Sequence, residues 1–264
     1  MKNFLVIGNP ISHSLSPKLH NYWIKVHNIN AIYEKRKLVE SDLKNLIAEV
    51  KLNKIVGINI TVPFKKSIVP LVDELSESAN KTQSVNTIYK KNEKIIGDNT
   101  DIGGFEKALK HVGYNVSNKK VFILGAGGVS ASIIYSLEKM GVKNISLSNR
   151  TKEKALELKK MFPSINIVNW GDHIDFDMII NATSLGLNKT DRIELNFNDN
   201  YKNKFFYDII YNPSKTKFLT TAETKGSDIE NGKLMFIYQA QLAFEIWHGV
   251  KPKIDTETIK FLND

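Results

Sequence analysis

Short apolar runs alternate with amphipathic stretches along the chain, the pattern of α/β layers rather than of repeats or disorder. In the first part Phe4–Ile7, Ile32–Val39 and Val56–Thr61 read as strands, with Pro17–His27 and Ser41–Lys51 between them as helices. Asn86–Asn99 reads as a hairpin that turns at Asn92-Glu93.

From about residue 119 the alternation becomes more regular. Val121–Leu124 is a continuous apolar run, as expected for a parallel strand covered on both faces. A glycine cluster follows, then a predicted helix from about Gly128 to Met140 with Gly141 at its end. Further strands are expected at Asn144–Asn149, Ile165–Val168, Asp177–Ala182 and Phe205–Ile210, and a helix over Thr151–Met161 that Pro163 stops. The last helical stretch, about Leu234 to Trp247, is apolar on most faces and has no strand after it. It is expected to return to the first domain and make that domain discontinuous. The predicted division is 1–101 plus about 234–264, around a second domain at 102–233.

At 264 residues there is length for two such domains. The hydrophobic fraction of 42% and charged fraction of 25% are those of an ordinary globular protein. Cysteine is absent, which removes disulfides and thiolate metal sites and suits a reducing cytoplasm. The opening apolar run is shorter than the roughly 7–15 residues of a signal-peptide core and reads as a strand and turn. No apolar stretch approaches the roughly 20 residues of a membrane span. The net charge of +9 is carried mostly by dispersed Lys, and only Arg36, Arg150 and Arg192 are Arg. Without basic runs interleaved with aromatics, this reads as solvated surface and not as a nucleic-acid-binding face.

Two regions carry more specific chemistry. Gly125-Ala126-Gly127-Gly128-Val129-Ser130 follows a buried strand and opens a helix. There the backbone can approach a pyrophosphate at a helix N-terminus, in a doubly wound, Rossmann-like parallel sheet. About 20 residues on, where an NAD site usually has Asp or Glu, the chain has Ser148-Asn149-Arg150-Thr151, with Lys154 beyond. A guanidinium binds a 2′-phosphate that a carboxylate would repel, so NADP is expected. Arg150 as a plain surface residue at a helix start is the competing reading.

In the first part, Ser14 and Ser16 stand at a predicted helix N-terminus, a natural carboxylate cradle, although Ser16 before Pro17 also reads as an N-cap. Asn59 and Thr61 share one side of a strand, and Lys65 follows its end. Asp101 falls at the domain boundary and reads equally as a helix N-cap. His13 and His20 read as one surface and one packing residue. No His/carboxylate cluster has metal-ligand spacing, so no metal is expected.

These segments run in one order along nearly the whole chain: Gly8-Asn9-Pro10, Ser14-Leu15-Ser16-Pro17, His20-Asn21, Asn59–Lys65, Asn86-Thr87, Asn99-Thr100-Asp101 with Gly104-Phe105, Gly125–Gly128, Asn149-Arg150-Thr151, Asn181–Gly186, Asp208–Pro213 and Gln239-Ala240. In this the chain resembles the shikimate dehydrogenases. The resemblance implies an α/β substrate domain, an NADP domain and a cleft between them, with reversible NADPH-dependent reduction of 3-dehydroshikimate to shikimate. It further implies Lys65 as proton donor and acceptor and Asp101 as its partner. Ser14, Ser16, Asn59, Thr61, Asn86, Asp101, Tyr211 and Gln239 would hold the substrate. Gly125, Ala126, Gly127, Gly128, Val129, Asn149, Arg150, Thr151, Lys154, Thr183, Ile209 and Gly232 would hold the cofactor. The partner class is a small molecule, neither nucleic acid nor membrane, for a cytoplasmic monomer or homodimer.

The chain departs from the family pattern at Leu234, where a Gly is usual; Leu does not tolerate φ > 0, so a different local backbone is expected. Val129 and Leu187 are smaller departures. The competing functions are a quinate/shikimate dehydrogenase with broader substrate or NAD use, and a nucleotide-binding regulator without catalysis.

Overall fold

The computed structural model describes residues 1–172, 174–188, 190–193 and 201–262. The chain divides into two compact units, Met1–Gly104 with Ile237–Asp264, and Phe105–Phe236.

In the first unit β1 (Lys2–Gly8), α1 (Ser16–Val26), β2 (Ala31–Lys37), α2 (Leu43–Lys51) and β3 (Gly57–Ile60) come in that order. They are followed by β4 (Glu74–Leu75), α3 (Glu77–Thr82), β5 (Thr87–Lys91), β6 (Lys94–Asp98) and α4 (Asp101–His111), whose last turns belong to the second unit. The sheet order is β2-β1-β3-β5-β6-β4. The strands of the β2-β1-β3 half run parallel, and β5 is antiparallel to both neighbours. Side chains alternate across a strand, so an apolar run without polar interruption means that both faces are covered. In β1, Leu5 and Ile7 pack with Leu43, Leu46, Ile47 and Val50 of α2. Phe4 meets Trp247, with ring centroids 5.2 Å apart.

The β5–β6 turn is at Asn92-Glu93, both with positive φ, as a two-residue hairpin loop matched to the strand twist requires. The short β4 and α3 were not visible in the apolar pattern. Their segment is mostly polar, and the Ser76 side chain caps α3 by accepting from the Ala79 N–H at 3.2 Å.

The second unit holds β7 (Lys120–Leu124), α5 (Ser130–Lys139), β8 (Asn144–Ser148), α6 (Lys152–Met161) and β9 (Asn166–Ile167). Then come β10 (Met178–Asn181), β11 (Phe205–Asp208), α7 (Lys217–Thr224), β12 (Asp228–Glu230) and the start of α8 (Lys233–His248); α9 (Thr256–Phe261) belongs to the first unit. Its sheet order is β12-β11-β10-β7-β8-β9, with every pair parallel. That order reverses between β7 and β10, the topological switch point at which such sheets bind ligands. Phe122, Leu124, Ile179 and Phe206 pack with Phe218, Leu219 and Ala222 of α7. Full burial of such side chains contributes about 1.5–3 kcal/mol each. Helix α5 starts two residues later than the pattern suggested, because the glycine turn runs on to Val129.

Candidate active site

In the first unit β1 and β3 are parallel neighbours, so their C-terminal ends emerge together. The Thr61 N–H donates to Ile7 O (2.9 Å) and the Asn9 N–H to Val62 O (3.0 Å), holding the two exits side by side. The chain then turns at Pro63, buries Phe64 and presents Lys65, whose carbonyl accepts from the Val85 N–H at 2.9 Å.

Lys65 Nζ lies 2.5 Å from Asp101 Oδ2, and the two side chains are only 12% and 8% exposed. The other carboxylate oxygen of Asp101 accepts from Asn86 Nδ2 at 2.9 Å. The same amide nitrogen faces Thr100 Oγ1 (3.0 Å) and Gln239 Oε1 (3.4 Å), while Asn86 Oδ1 accepts from the Thr100 N–H (2.8 Å). Asp101 is the first residue of α4, yet both its oxygens are engaged by Lys65 and Asn86. Its work is ion pairing and not capping.

At the other end, Ser14 Oγ accepts from the Ser16 N–H at 3.3 Å. Ser16 is not the N-cap of α1: it is the first helical residue, and Leu15, whose side chain cannot accept a bond, occupies the cap position. Starting the helix one residue earlier leaves the buried Ser16 hydroxyl free of a capping bond. Asn59 is also buried; its amide donates to Asn86 O and Thr87 Oγ1 (each 3.1 Å), and its Oδ1 accepts from the Tyr33 hydroxyl (2.7 Å). With those bonds, Asn59 serves to hold Asn86 and Tyr33. His13 is exposed and His20 fully buried, one surface and one packing residue. Ser14, Ser16, Asn59, Thr61, Lys65, Asn86, Asp101 and Gln239 all belong to the first unit. Tyr211 belongs to the second, where it stacks on Phe236 with centroids 4.8 Å apart and its hydroxyl is pushed up by burial.

In the second unit, Gly125 has φ +103°, and a Cβ there would lie 2.9 Å from Ala182 O and 2.7 Å from Thr183 Cγ2. Only glycine fits. Ser130 closes the turn: its Oγ accepts from the Gly127 N–H (3.0 Å) and donates to Gly125 O (2.9 Å). That accounts for serine at the third fingerprint position. Asn149 Oδ1 accepts from the Ala126 N–H (2.9 Å), and its Nδ2 donates to Thr151 O (2.7 Å), so the end of β8 is tied to the glycine turn. Arg150 and Lys154 are exposed beside it. A glycine turn ahead of α5, with Arg150 and no carboxylate among residues 148–151 at the end of the next strand, and with Lys154 beside Glu153 in the first turn of α6, fits a 2′-phosphorylated dinucleotide.

Thr183 Oγ1 donates to Asn181 Oδ1 (2.7 Å) and accepts from the Leu185 N–H (3.0 Å). Ile209 is held by its N–H to Asn181 O (3.0 Å), and a Cβ on Gly232 would fall 1.9 Å from Ile209 O. Gly232 is thus required for this close approach. Leu234 lies in α8 with negative φ, so its side chain is carried there without backbone strain.

Three residues with structural weight had no role assigned from sequence. Tyr33 reads as an ordinary aromatic in a strand. Asn181 and Asp208 end apolar strands, a signal that was available: they bond each other (3.0 Å), and Asp208 also accepts from Thr216 Oγ1 (2.6 Å) and the Ile210 N–H (3.0 Å). Burial pushes the Asp208 carboxyl up to about 6 against those bonds.

Fold and site together define a two-domain α/β, NADP-linked dehydrogenase with a lysine–aspartate pair. Family models match at residues 6–88 (shikimate dehydrogenase substrate binding domain), 106–213 (shikimate / quinate 5-dehydrogenase) and 234–256 (shikimate 5′-dehydrogenase C-terminal domain). The shikimate dehydrogenase (NADP(+)) of Pelagibacter ubique strain HTCC1062 is 60% identical over 262 residues, 99% of each chain. The crystal structure of the Aquifex aeolicus shikimate dehydrogenase superposes with TM-score 0.89 at 37% identity, covering 100% of this chain and 97% of that one. The Thermus thermophilus enzyme in complex with NADP(H) and shikimate gives TM-score 0.89 at 29% identity, covering 100% and 99%. The chain belongs to the shikimate dehydrogenase family.

Proposed function

We propose that Lys65 is the proton donor and acceptor in the reversible NADPH-dependent reduction of 3-dehydroshikimate to shikimate, with Asp101 as its partner. The activity is that of the family, and the Pelagibacter relative bears the NADP(+)-specific name over its full length. The observation that carries the assignment of residues is the Lys65–Asp101 pair, nearly buried and held from behind by Asn86, which itself faces Gln239.

NADPH, when bound, supplies the hydride that adds to the ketone carbon. The carbonyl oxygen then gains negative charge, which the Lys65 ammonium stabilises and to which it gives a proton, leaving an alcohol and a neutral amine. Asp101 holds Lys65 by one carboxylate oxygen, and Asn86 donates to the other. In the oxidative direction the amine takes the hydroxyl proton. Ser14 and Ser16 receive the ring carboxylate, and Thr61, Asn86, Asp101, Tyr211 and Gln239 the remaining polar groups, while Asn59 supports Asn86 from behind. The cofactor is held by the turn Gly125–Val129, by Asn149, Arg150, Thr151 and Lys154, and by Thr183, Ile209 and Gly232. Among the described residues no helix is long and apolar enough to cross a membrane. We place the enzyme in the cytoplasm, which a cysteine-free chain suits.

Lys65→Ala is expected to keep its affinity for NADP⁺, measured by fluorescence titration, and to lose turnover of shikimate by roughly 10²-fold or more. Turnover near that of the unaltered enzyme would remove Lys65 from the proton-transfer role.

A further inference from the structure

In the second unit the glycine turn follows β7 and Arg150 follows β8, on one side of the switch point between β7 and β10. A dinucleotide with its 2′-phosphate at Arg150 and its pyrophosphate on that turn carries its nicotinamide half across the switch point, over the ends of β10 and β11. The segments that leave those two strands are Thr183–Gly186 and Ile209–Ile210.

One buried carboxylate ties both segments together. Asp208, the last residue of β11, accepts at Oδ1 from the Ile210 N–H and from Asn181 Nδ2, each at 3.0 Å. Its Oδ2 accepts from the hydroxyl of Thr216, the N-cap of α7, at 2.6 Å. Asn181, the last residue of β10, carries the connection into the other segment. Its Oδ1 accepts from the N–H (3.1 Å) and the hydroxyl (2.7 Å) of Thr183, and its Nδ2 also donates to Leu185 O (3.0 Å). Its backbone carbonyl accepts from the Ile209 N–H at 3.0 Å. Thr183 in turn lies against the glycine turn, where a Cβ on Gly125 would be 2.7 Å from Thr183 Cγ2.

Folding alone does not ask for an acid at this place. Asp208 and Asn181 are both fully buried, and the three donors to Asp208 are neutral. Burial pushes the carboxyl up to about 6, so its ionised form opposes stability at neutral pH. An apolar residue would simply extend the buried run Phe205–Tyr207. What the carboxylate adds is a fixed spacing between the two segments and the start of α7.

We propose that Asp208 is a positioning residue for the nicotinamide half of the cofactor. Through Asn181 it sets Thr183 and Ile209 relative to each other and to the glycine turn, so that the nicotinamide ring is presented in one orientation for hydride transfer. The inference rests on the assignment of Thr183 and Ile209 to the cofactor and goes beyond it by naming what fixes them. The adenosine half is held on the other side of the switch point, so losing the carboxylate lowers turnover and spares the binding of that half.

The test combines steady-state kinetics with shikimate and NADP⁺, titration with 2′,5′-ADP as a probe of the adenosine half, and melting temperature. A misplacement of about 1 Å at the reacting centre costs on the order of 10²-fold in rate. Asp208→Ala is expected to lower kcat about 30-fold, with the 2′,5′-ADP affinity and the KM for shikimate within about threefold. Asp208→Asn, which still accepts from Asn181 and Ile210 and can donate to Thr216, should recover kcat to within about threefold of the unaltered enzyme. If Asp208→Ala does not fold, Thr216→Val, which removes one of the three bonds, should lower kcat about fivefold with the same spared affinities, and Thr216→Ser should restore it.

Gly232→Ala is the control on the underlying assignment, because its Cβ would fall 1.9 Å from Ile209 O and displace that segment without touching Asp208. If Gly232→Ala lowers kcat with 2′,5′-ADP affinity intact and the Asp208 and Thr216 variants leave kcat within threefold, the positioning role is wrong and the cofactor assignment stands. If none of them lowers kcat, the assignment of these segments to the cofactor fails, and the proposal with it. A parallel loss of kcat and 2′,5′-ADP affinity with a large drop in melting temperature, or no recovery in Asp208→Asn, would overturn the positioning role.

Discussion

The two units build their sites in opposite ways. The second unit uses one contiguous strand–turn–helix, in which Gly125 and Ser130 shape the backbone and Asn149 ties it to the next strand. The first unit uses side chains from Asn59 to Gln239, joined by hydrogen bonds that span 36 residues between Lys65 and Asp101 and 153 between Asn86 and Gln239. A phosphate is bound by backbone dipoles and can be cradled locally. A ring with several polar groups needs donors and acceptors from many directions, and only tertiary structure brings those together.

That contrast makes different substitutions damaging in each unit. Gly125→Val should be the most severe, because a branched side chain is forced to positive φ and into the Ala182 carbonyl and Thr183. NADP⁺ affinity by titration is expected to fall by at least about 10²-fold while shikimate binding in a ligand-detected assay persists. Equal loss of both ligands would erase the division of labour.

Arg150→Ala should act on the cofactor alone and less strongly. The KM for NADP⁺ should rise roughly 10- to 50-fold, and the kcat/KM for NAD⁺ should change little, since NAD⁺ lacks the 2′-phosphate that we propose the guanidinium binds. A similar loss with both cofactors would assign Arg150 to helix geometry instead.

The smallest expected effects concern pH, and here the units have opposite signs. In the first unit burial lowers His20 to about 3, with nearby His248 a secondary cause, and burial also lowers His248 itself to about 4, with Lys2 and His27 adding to it. Both folded values lie below the ordinary 6.5, so the stability they contribute is present above that pH and is lost as pH falls toward 4 and 3. In the second unit Asp208 is raised from 3.8 to about 6, so its contribution is present below 3.8 and is lost as pH rises through 6. Hydrogen exchange of β1 amides, corrected for intrinsic rates, should therefore lose protection between pH 6.5 and 4.5. Amides of β7 should change less or in the other direction. His20→Phe should flatten the first profile and Asp208→Asn the second, each by a few kcal/mol at most on the usual scale of such shifts. Identical profiles in both units would show that these groups do not set local stability.

The same contrast explains what could be read from the sequence. The glycine turn was legible because its chemistry is written in consecutive residues at a known offset from a strand, and Arg150 drew notice by the same kind of offset. The alternating layers and the Asn92-Glu93 turn were legible for the same reason. Lys65 and Asp101 had no such local warrant: each has an ordinary reading as a surface lysine or a helix cap, and their roles came from the order of motifs around them. The Ser16 cap was misjudged because Ser-Pro is a good local start signal, and the helix takes up one residue more than that signal demands. Tyr33 was invisible, since nothing in Ala31–Lys37 marks a strand tyrosine whose hydroxyl bonds Asn59 of β3. Networks assembled from distant segments leave no spacing to detect.

The most direct test of the account is a two-by-two comparison of kcat/KM, with shikimate and quinate each assayed with NADP⁺ and NAD⁺. One axis reports on the first unit and the other on the second. The account predicts that shikimate with NADP⁺ is the best pair, with NADP⁺ preferred over NAD⁺ by at least about tenfold on the scale of a bidentate phosphate contact. Faster turnover of quinate, or equal use of NAD⁺, would contradict it.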